Sequence, residues 1–290
     1  MSGQASEEQA SASDASIGFD VYTSPYRQIG GSEEQTFSPV TSTLIYGRND
    51  AVLVDAQFIR EDIDALCEMI ERRGRRLTTI YITHAHADHY FGIDRIMDRF
   101  PGARAVATEA VVKHLIKHSP AEFKQFSSMF GDDLVIPTSL PTALDDDFIE
   151  LESEQLRIIE VGQGDIPHST VLYVPSIGAV IAGDVAYNGI HQMLGLSGPA
   201  EWSKWIESVD KIESLHPKTV IAGHKQPGAS DDATAVLEST RSYIRDFAEE
   251  AATSSTAREL VSAMMRRYPG HGNLATLFYS ASAAIKAKAS

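Results

Sequence analysis

A single cysteine, Cys67, stands in 290 residues. An internal disulfide is therefore excluded, and so is a metal site built on several thiolates. Cys67 lies in "DIDALCEMI", where apolar residues recur at helical spacing, so it reads as a buried structural thiol rather than a nucleophile. Long apolar runs are missing too: no stretch reaches the roughly 20 residues that a membrane-spanning helix needs. Basic residues are scarce, with 25 Lys and Arg against 40 Asp and Glu, a net charge of −15. Nucleic acid and anionic membrane surfaces both require a basic footprint, so neither is expected as a partner. General solubility explains most of the acidity, and bound divalent ions would offset part of it locally.

The remaining composition is that of a soluble globular chain, long enough to bury a sizeable core. The opening "MSGQASEEQASASDAS" has neither the basic start nor the apolar centre of a secretory signal. Nothing in it can bury surface, so residues 1–16 are expected to be a disordered tail and the protein to be cytoplasmic.

From "IGFDVYT" onward the pattern is strands interleaved with helices. "TSTLIYG" and "AVLVDA" flank "RND" as a hairpin, and "REDIDALCEMIERRG" is a helix closed by Gly74 with basic residues in its last turn. "TTIYIT" is a strand, "YFGIDRIMDRF" a helix, and "ARAVAT" a strand that leads into a helix from Glu109. Segment 119–146 is expected to be irregular, with "MFGDD" and "PTSLP" as breakers. Strands resume at "DFIEL", "LRIIEV", "STVLYV" and "GAVIAGD", followed by the helix "PAEWSKWIESVDKIESL" and the strand "KTVIAG". Helices broken near "ATSS" and "YPGHGN" fill the rest. The organisation expected is a tail (1–16), a catalytic domain (17–228) and a helical extension (229–290) packed on the same domain. That extension could be a lid, a homodimer surface or further core.

The densest chemistry is "YITHAHADHY", which places His84, His86, Asp88 and His89 within six residues directly after an apolar run. Crowded imidazoles repel one another once protonated, so a shared cation is the natural reason to gather them. An extended segment points alternate side chains the same way, so His84 and His86 can converge on one ion. Asp88 and His89, where the chain turns into a helix, can face a second. Imidazole and carboxylate without thiolate suit zinc, with iron or manganese as alternatives. Further ligands should also end strands: His168 in "GDIPHST", Asp184 closing "GAVIAGD" and His224 closing "KTVIAGH". Gly183 and Gly223, each just before a ligand, would let the backbone turn close to a metal.

The ordered series "THAHADH", "PHS", "AGD", "AGH" resembles the metallo-β-lactamase superfamily over roughly residues 35–228. The resemblance implies an α/β fold of the αββα sandwich type, here with a helical C-terminal portion, holding two Zn²⁺ per chain. By matching position, His84, His86 and His168 would hold the first ion, Asp88, His89 and His224 the second, and Asp184 would bridge them. Asp55, ending "AVLVDA", would support the ligands from behind. Asp184 stands where several zinc β-lactamases carry cysteine, which points toward lactonase, glyoxalase II and general hydrolase branches. Tyr187 in "DVAY" has the spacing of a carbonyl-polarising tyrosine in family lactonases. Flavodiiron proteins usually carry glutamate where His86 stands, which counts against that branch.

The activity implied is hydrolysis of a cyclic ester or amide of a small organic molecule. A hydroxide shared between the ions would attack, Tyr187 would stabilise the oxyanion and Asp88 would pass a proton to the leaving group. A thioester hydrolase of the glyoxalase II kind and a mononuclear iron dioxygenase are the alternatives. "YNGIHQMLGLSG" supplies pocket residues, His191 and Met193 among them, and segments 119–142 and 188–200 are expected to wall the cavity. His114 and His118, four apart on a helix, could chelate but read more simply as a solvated face, and His216 and His271 receive no role.

Overall fold

The computed structural model of the protein describes residues 17–289, so the expected tail over 1–16 lies outside the described residues. The first half contributes β1 (Gly18–Thr23), β2 (Arg27–Ile29), β3 (Ser32–Phe37), β4 (Thr41–Tyr46), β5 (Asp50–Val54), α1 (Arg60–Arg73), β6 (Arg76–Tyr81) and the single turn α2 (Ala87–Tyr90). α3 (Ile93–Arg99), β7 (Arg104–Thr108), α4 (Glu109–Phe130) and β8 (Thr142–Leu144) complete it. The second half holds β9 (Phe148–Leu151), β10 (Glu154–Gln163), β11 (Pro167–Val174), β12 (Ala179–Asn188), α5 (Pro199–Glu213) and β13 (Thr219–Lys225). Three helices follow: α6 (Ala233–Thr253), α7 (Ala257–Arg267) and α8 (Leu274–Lys288).

Strand order is β1-β4-β5-β6-β7-β8 in one sheet and β13-β12-β11-β10-β9 in the other, with β2-β3 as a separate ribbon. Period-two alternation sorts the side chains of each strand between two cores. On β5, Ala51 and Leu53 pack toward α1, α3 and α4, while Val52 and Val54 point between the sheets. On β12 and β13, Val180, Ala182, Val220 and Ala222 meet α5–α8, whereas Ile181 and Ile221 face the first sheet. Both faces of each sheet are thus covered, which gives four layers in the order helix, sheet, sheet, helix. The expected αββα sandwich is the architecture found.

One local expectation changes, and one open choice is narrowed. α4 runs unbroken through 119–130 with Pro120 inside it, so the first part of the segment expected to be irregular is helical. Proline removes the hydrogen bond to the carbonyl of Ile116, but Ile116 is on the exposed side where water can take that group. The C-terminal helices are core: Tyr243, Phe247, Met264 and Leu277 are fully buried in the same cluster as Val185 and Trp205. Among the described residues no helix is long and apolar enough to cross a membrane.

Candidate metal centre

Most ligand-type residues lie where strands stop; Asp184, expected to close its strand, instead stands within β12, which runs on to Asn188. β6 ends at Tyr81 and releases Thr83, His84 and His86, and α2 then carries Asp88 and His89. Asp184 and His224 stand late in the paired strands β12 and β13, where the register shifts around Gly183. Gly183 has φ +49°, and a Cβ there would lie 2.5 Å from Thr83 Oγ1. A Cβ on Gly223 would lie 2.1 Å from Asp184 Oδ1. The two glycines singled out in the sequence are therefore needed for close approach.

Two groups of donor atoms face each other, each within 4.8 Å: His84, His86, Asp165 and Asp184, and beside them Asp88, His89 and His224. Asp55 also lies close to His84 and His89, but behind them, where hydrogen bonds engage its oxygens. Asp184 touches both groups. Its Oδ2 lies 3.4 Å from His84 Nε2 and 3.2 Å from His224 Nε2, and its Oδ1 lies 3.2 Å from His89 Nε2.

One sequence expectation is corrected. His168 does not join the first group; Asp165 does, with Oδ2 3.3 Å from His86 Nδ1. The β10–β11 turn is the physical reason. Gly162 and Gly164 fold the chain tightly there, so the residue at the tip reaches inward. His168, second in β11, has φ +65°, is exposed, and packs its ring 6.0 Å from that of His114. A signal for Asp165 exists in the sequence: "EVGQGD" is an apolar-glycine-acid pattern of the same kind as "AGD" and "AGH".

Hydrogen bonds fix which nitrogen of each ring faces inward. His89 Nδ1 donates to Asp55 Oδ2 at 2.9 Å. Thr83 donates its hydroxyl proton to Asp55 and so can accept from His84 Nδ1 at 2.9 Å. His224 Nδ1 donates to the Pro39 carbonyl at 2.9 Å, with Ser38 Oγ at 3.0 Å. In all three rings the Nδ1 proton is tied outward, which leaves an Nε2 lone pair pointing at Asp184. Asp55, expected behind the ligands, occupies that place; Thr83 and Ser38 were not anticipated.

The site fits a divalent cation on its own chemistry. Asp88 Oδ2, Asp165 Oδ1, Asp184 Oδ1 and His89 Nε2 are all buried without a hydrogen-bond partner. Buried polar atoms are rarely left so, and carboxylate oxygens facing imidazole lone pairs are what a cation satisfies. The titration trends agree. Burial pushes the Asp165 carboxyl up to about 7, with His86 opposing and Asp184 reinforcing. Burial disfavours charge on His86, but Asp165 and Asp184 outweigh it and raise that ring to about 10. This corner carries carboxylate charge that must be neutralised by a proton or a cation.

Tyr187 is buried, its ring stacked on His224 at 5.3 Å and its hydroxyl 3.2 Å from Asp184 Oδ2. Burial, then Asp165 and Asp184, hold its hydroxyl protonated well above the ordinary range, so it acts as a donor. The C-terminal helices place it: its backbone N–H donates to Thr240 Oγ1 of α6 at 3.2 Å, and Trp205 meets its ring edge-on.

Above the two groups opens a cavity of about 860 Å³, with Asp184, Tyr187 and His224 at its floor. α4 supplies one wall, beginning at Glu109, earlier in the chain than expected, and Phe37, Met193, Leu196 and Tyr279 supply others. Met193 thus faces the cavity. His191 does not: it is buried against Tyr243, whose hydroxyl lies 2.8 Å from its Nδ1.

The model of the metallo-beta-lactamase superfamily matches residues 35–224, about two thirds of the chain. The chain belongs to that superfamily. Among curated relatives it is 26% identical over 180 residues to a metallo-beta-lactamase type 2 of Bacillus sp. (strain 170), and 21% identical over 182 residues to one of Bacillus cereus. Each match covers 61% of this chain and spans 63% of the relative's length. A metallo-beta-lactamase family protein of Thermus thermophilus shares the fold with a TM-score of 0.61 at 22% identity, covering 89% of this chain and 92% of that one. A metallo-beta-lactamase from Pontibacter korlensis superposes with a TM-score of 0.59 at 17% identity, covering 80% of this chain and 100% of that one.

Proposed function

We propose that the protein hydrolyses a cyclic ester or amide of a small organic molecule, with two divalent ions, zinc in the first instance, held by the two donor groups. The observation that carries this reading is the shared carboxylate of Asp184, in contact with both groups beneath a cavity of small-molecule size. His84, His86 and Asp165 would hold one ion, Asp88, His89 and His224 the other, and Asp184 both. A divalent ion bound there lowers the pKa of its water from about 15.7 toward about 7 and polarises a carbonyl.

The chain's own residues do the rest. Phe37, Phe126 and Met129 give the substrate an apolar seat that keeps bulk water from the reacting carbonyl. Tyr187, protonated and fixed by stacking on His224, turns its O–H from Asp184 to the carbonyl oxygen as negative charge gathers there. Water oxygen joins the acyl carbon and the ring C–O or C–N bond breaks. The proton that water gives up passes through Asp88 Oδ2 to the departing oxygen or nitrogen. The product is a hydroxy acid or an amino acid.

The test is elemental analysis of freshly purified protein alongside hydrolysis assays on lactones, β-lactams and acyl thioesters. About two zinc per chain and chelator-sensitive ring opening are expected. Thioester cleavage with lactones and lactams untouched, or one iron per chain with oxygen uptake, would overturn the reading.

A further inference from the structure

We propose that the substrate carries a single negative charge, as on a carboxylate, at the end remote from the bond that breaks, and that Lys117, aided by Lys113, receives it. This inference rests on the reading that the cavity over the donor groups is the substrate site.

The chain carries 15 more acidic than basic side chains, yet the cavity-facing stripe of α4 runs Lys113, His114, Lys117, His118, with His168 of β11 joining it. Residues four apart share a helix face, so 113 with 117 and 114 with 118 form one edge, on which the lysines carry the charge because burial, then His118 and His168, push His114 down to about 4. His114 and His118 meet edge to face at 4.3 Å, and His114 meets His168 at 6.0 Å. Two acids share this wall, and neither neutralises Lys117. Glu109 pairs with Lys113 at 2.8 Å, an exposed i,i+4 contact of the kind a ligand displaces readily. Glu122 accepts from the Ala87 amide at the opposite end of the stripe, beside His86. Among the described residues Lys117 has no ion pair, so of the two lysines on this cavity wall it is the one left uncompensated.

Helix geometry sets the distance. Glu122, beside Ala87, marks the level of the donor groups. At 1.5 Å per residue, Lys117 lies roughly 7 Å and Lys113 roughly 13 Å further along the axis. On this stripe Ala121 lies between Glu122 and Lys117, whereas Phe126 and Met129 lie beyond Glu122, away from the lysines. A scissile carbonyl at the floor, a short arm lying along Ala121 and a terminal carboxylate would match this layout in order.

The test uses the zinc-loaded full chain and two probes of equal size, N-succinamoyl and N-succinyl homoserine lactone, which differ by one distal charge. We expect KM to be lower for the succinyl lactone by roughly tenfold or more, the scale of one charge-assisted hydrogen bond. Lys117→Glu should bring the ratio to about one, whereas Lys124→Glu, on α4 but off the cavity, should preserve it. Calorimetry on the two ring-opened products gives the same comparison without turnover, because both carry the carboxylate released by ring opening. Equal binding of the two products, or an equal collapse of preference in both lysine variants, would overturn the inference. Absence of ring opening alone would sink the proposed reaction, and the product affinities would still decide this point.

Discussion

Replacing Asp165 by Asn tests the centre most sharply, because sequence and structure nominate different residues for the same duty. Asn keeps the shape and removes the charge. Asp165 is one of four donors in its group, is buried, and has an oxygen without a hydrogen-bond partner. Groups that merely orient ligands are worth about 10–100-fold in metal affinity, so loss of a direct donor should cost at least about 100-fold, or roughly 2.7 kcal/mol. Metal binding stabilises by RT ln(1 + [L]/Kd), so at excess zinc nearly all of that reappears as lost stability. For a chain of this length it amounts to a fall in melting temperature of roughly 5–10 °C. His168→Ala should change neither quantity by more than about 0.5 kcal/mol, since His168 is exposed and outside both donor groups. The assay is a competitive zinc titration with a chromophoric chelator, run beside thermal melts of both variants with and without zinc. A variant Asp165→Asn that keeps full stoichiometry and affinity, with His168→Ala losing an ion, would refute the assignment.

Three further outcomes are expected. Tyr187→Phe should retain its metal and lose roughly 10²–10³-fold in kcat, the cost of removing one oxyanion donor; unchanged kcat would remove the hydroxyl from the reaction. Thr83→Val breaks the Asp55–Thr83–His84 chain and should weaken zinc binding about 10–100-fold, with Thr83→Ser recovering most of it; equal affinity in all three proteins would count against that chain. Burial, with His271 alongside, pushes His191 down to about 4, so the folded protein resists a proton that the unfolded chain accepts near 6.5. Stability from this ring is intact above pH 6.5 and is lost as pH falls toward 4, by on the order of 3 kcal/mol. Denaturation curves should therefore fall more steeply with acid for wild type than for His191→Gln, and parallel curves would contradict it.

Much of this was legible because strand-end ligands have a local signature: an apolar run, small residues, then the donor. That signature placed His84, His86, Asp184 and His224 near one another before any coordinates. It also belongs to Asp165, but "PHST" two residues later offered an imidazole, and residue type outweighed spacing. The sense in which a tight β10–β11 turn aims its tip cannot be read from one-dimensional pattern. Thr83 and Ser38 were missed for another reason: a hydroxyl matters here only through the ring nitrogen it meets, a contact made by folding. Pro120 disguised half of α4, since a proline whose missing hydrogen bond faces water costs little. His191 was misread because its neighbours in sequence line the cavity, whereas its own ring turns toward α6.

Both halves of the sandwich supply donor side chains to the two groups. His84, His86, Asp88 and His89 come from the first sheet's loops, and Asp165, Asp184 and His224 from the second. Thr41 of β4 bonds the Ala222 carbonyl at 2.6 Å, and Val40 bridges to His224, so the seam is stitched right at the centre. Neither half owns a complete cage, and Asp184 is the rivet common to both. Chain cleaved near residue 146 should therefore yield fragments that each chelate poorly, and zinc should promote their reassembly. In such a molecule the ions would serve the architecture as well as the chemistry, clamping two slabs whose relative sliding would otherwise dismantle the floor of the cavity.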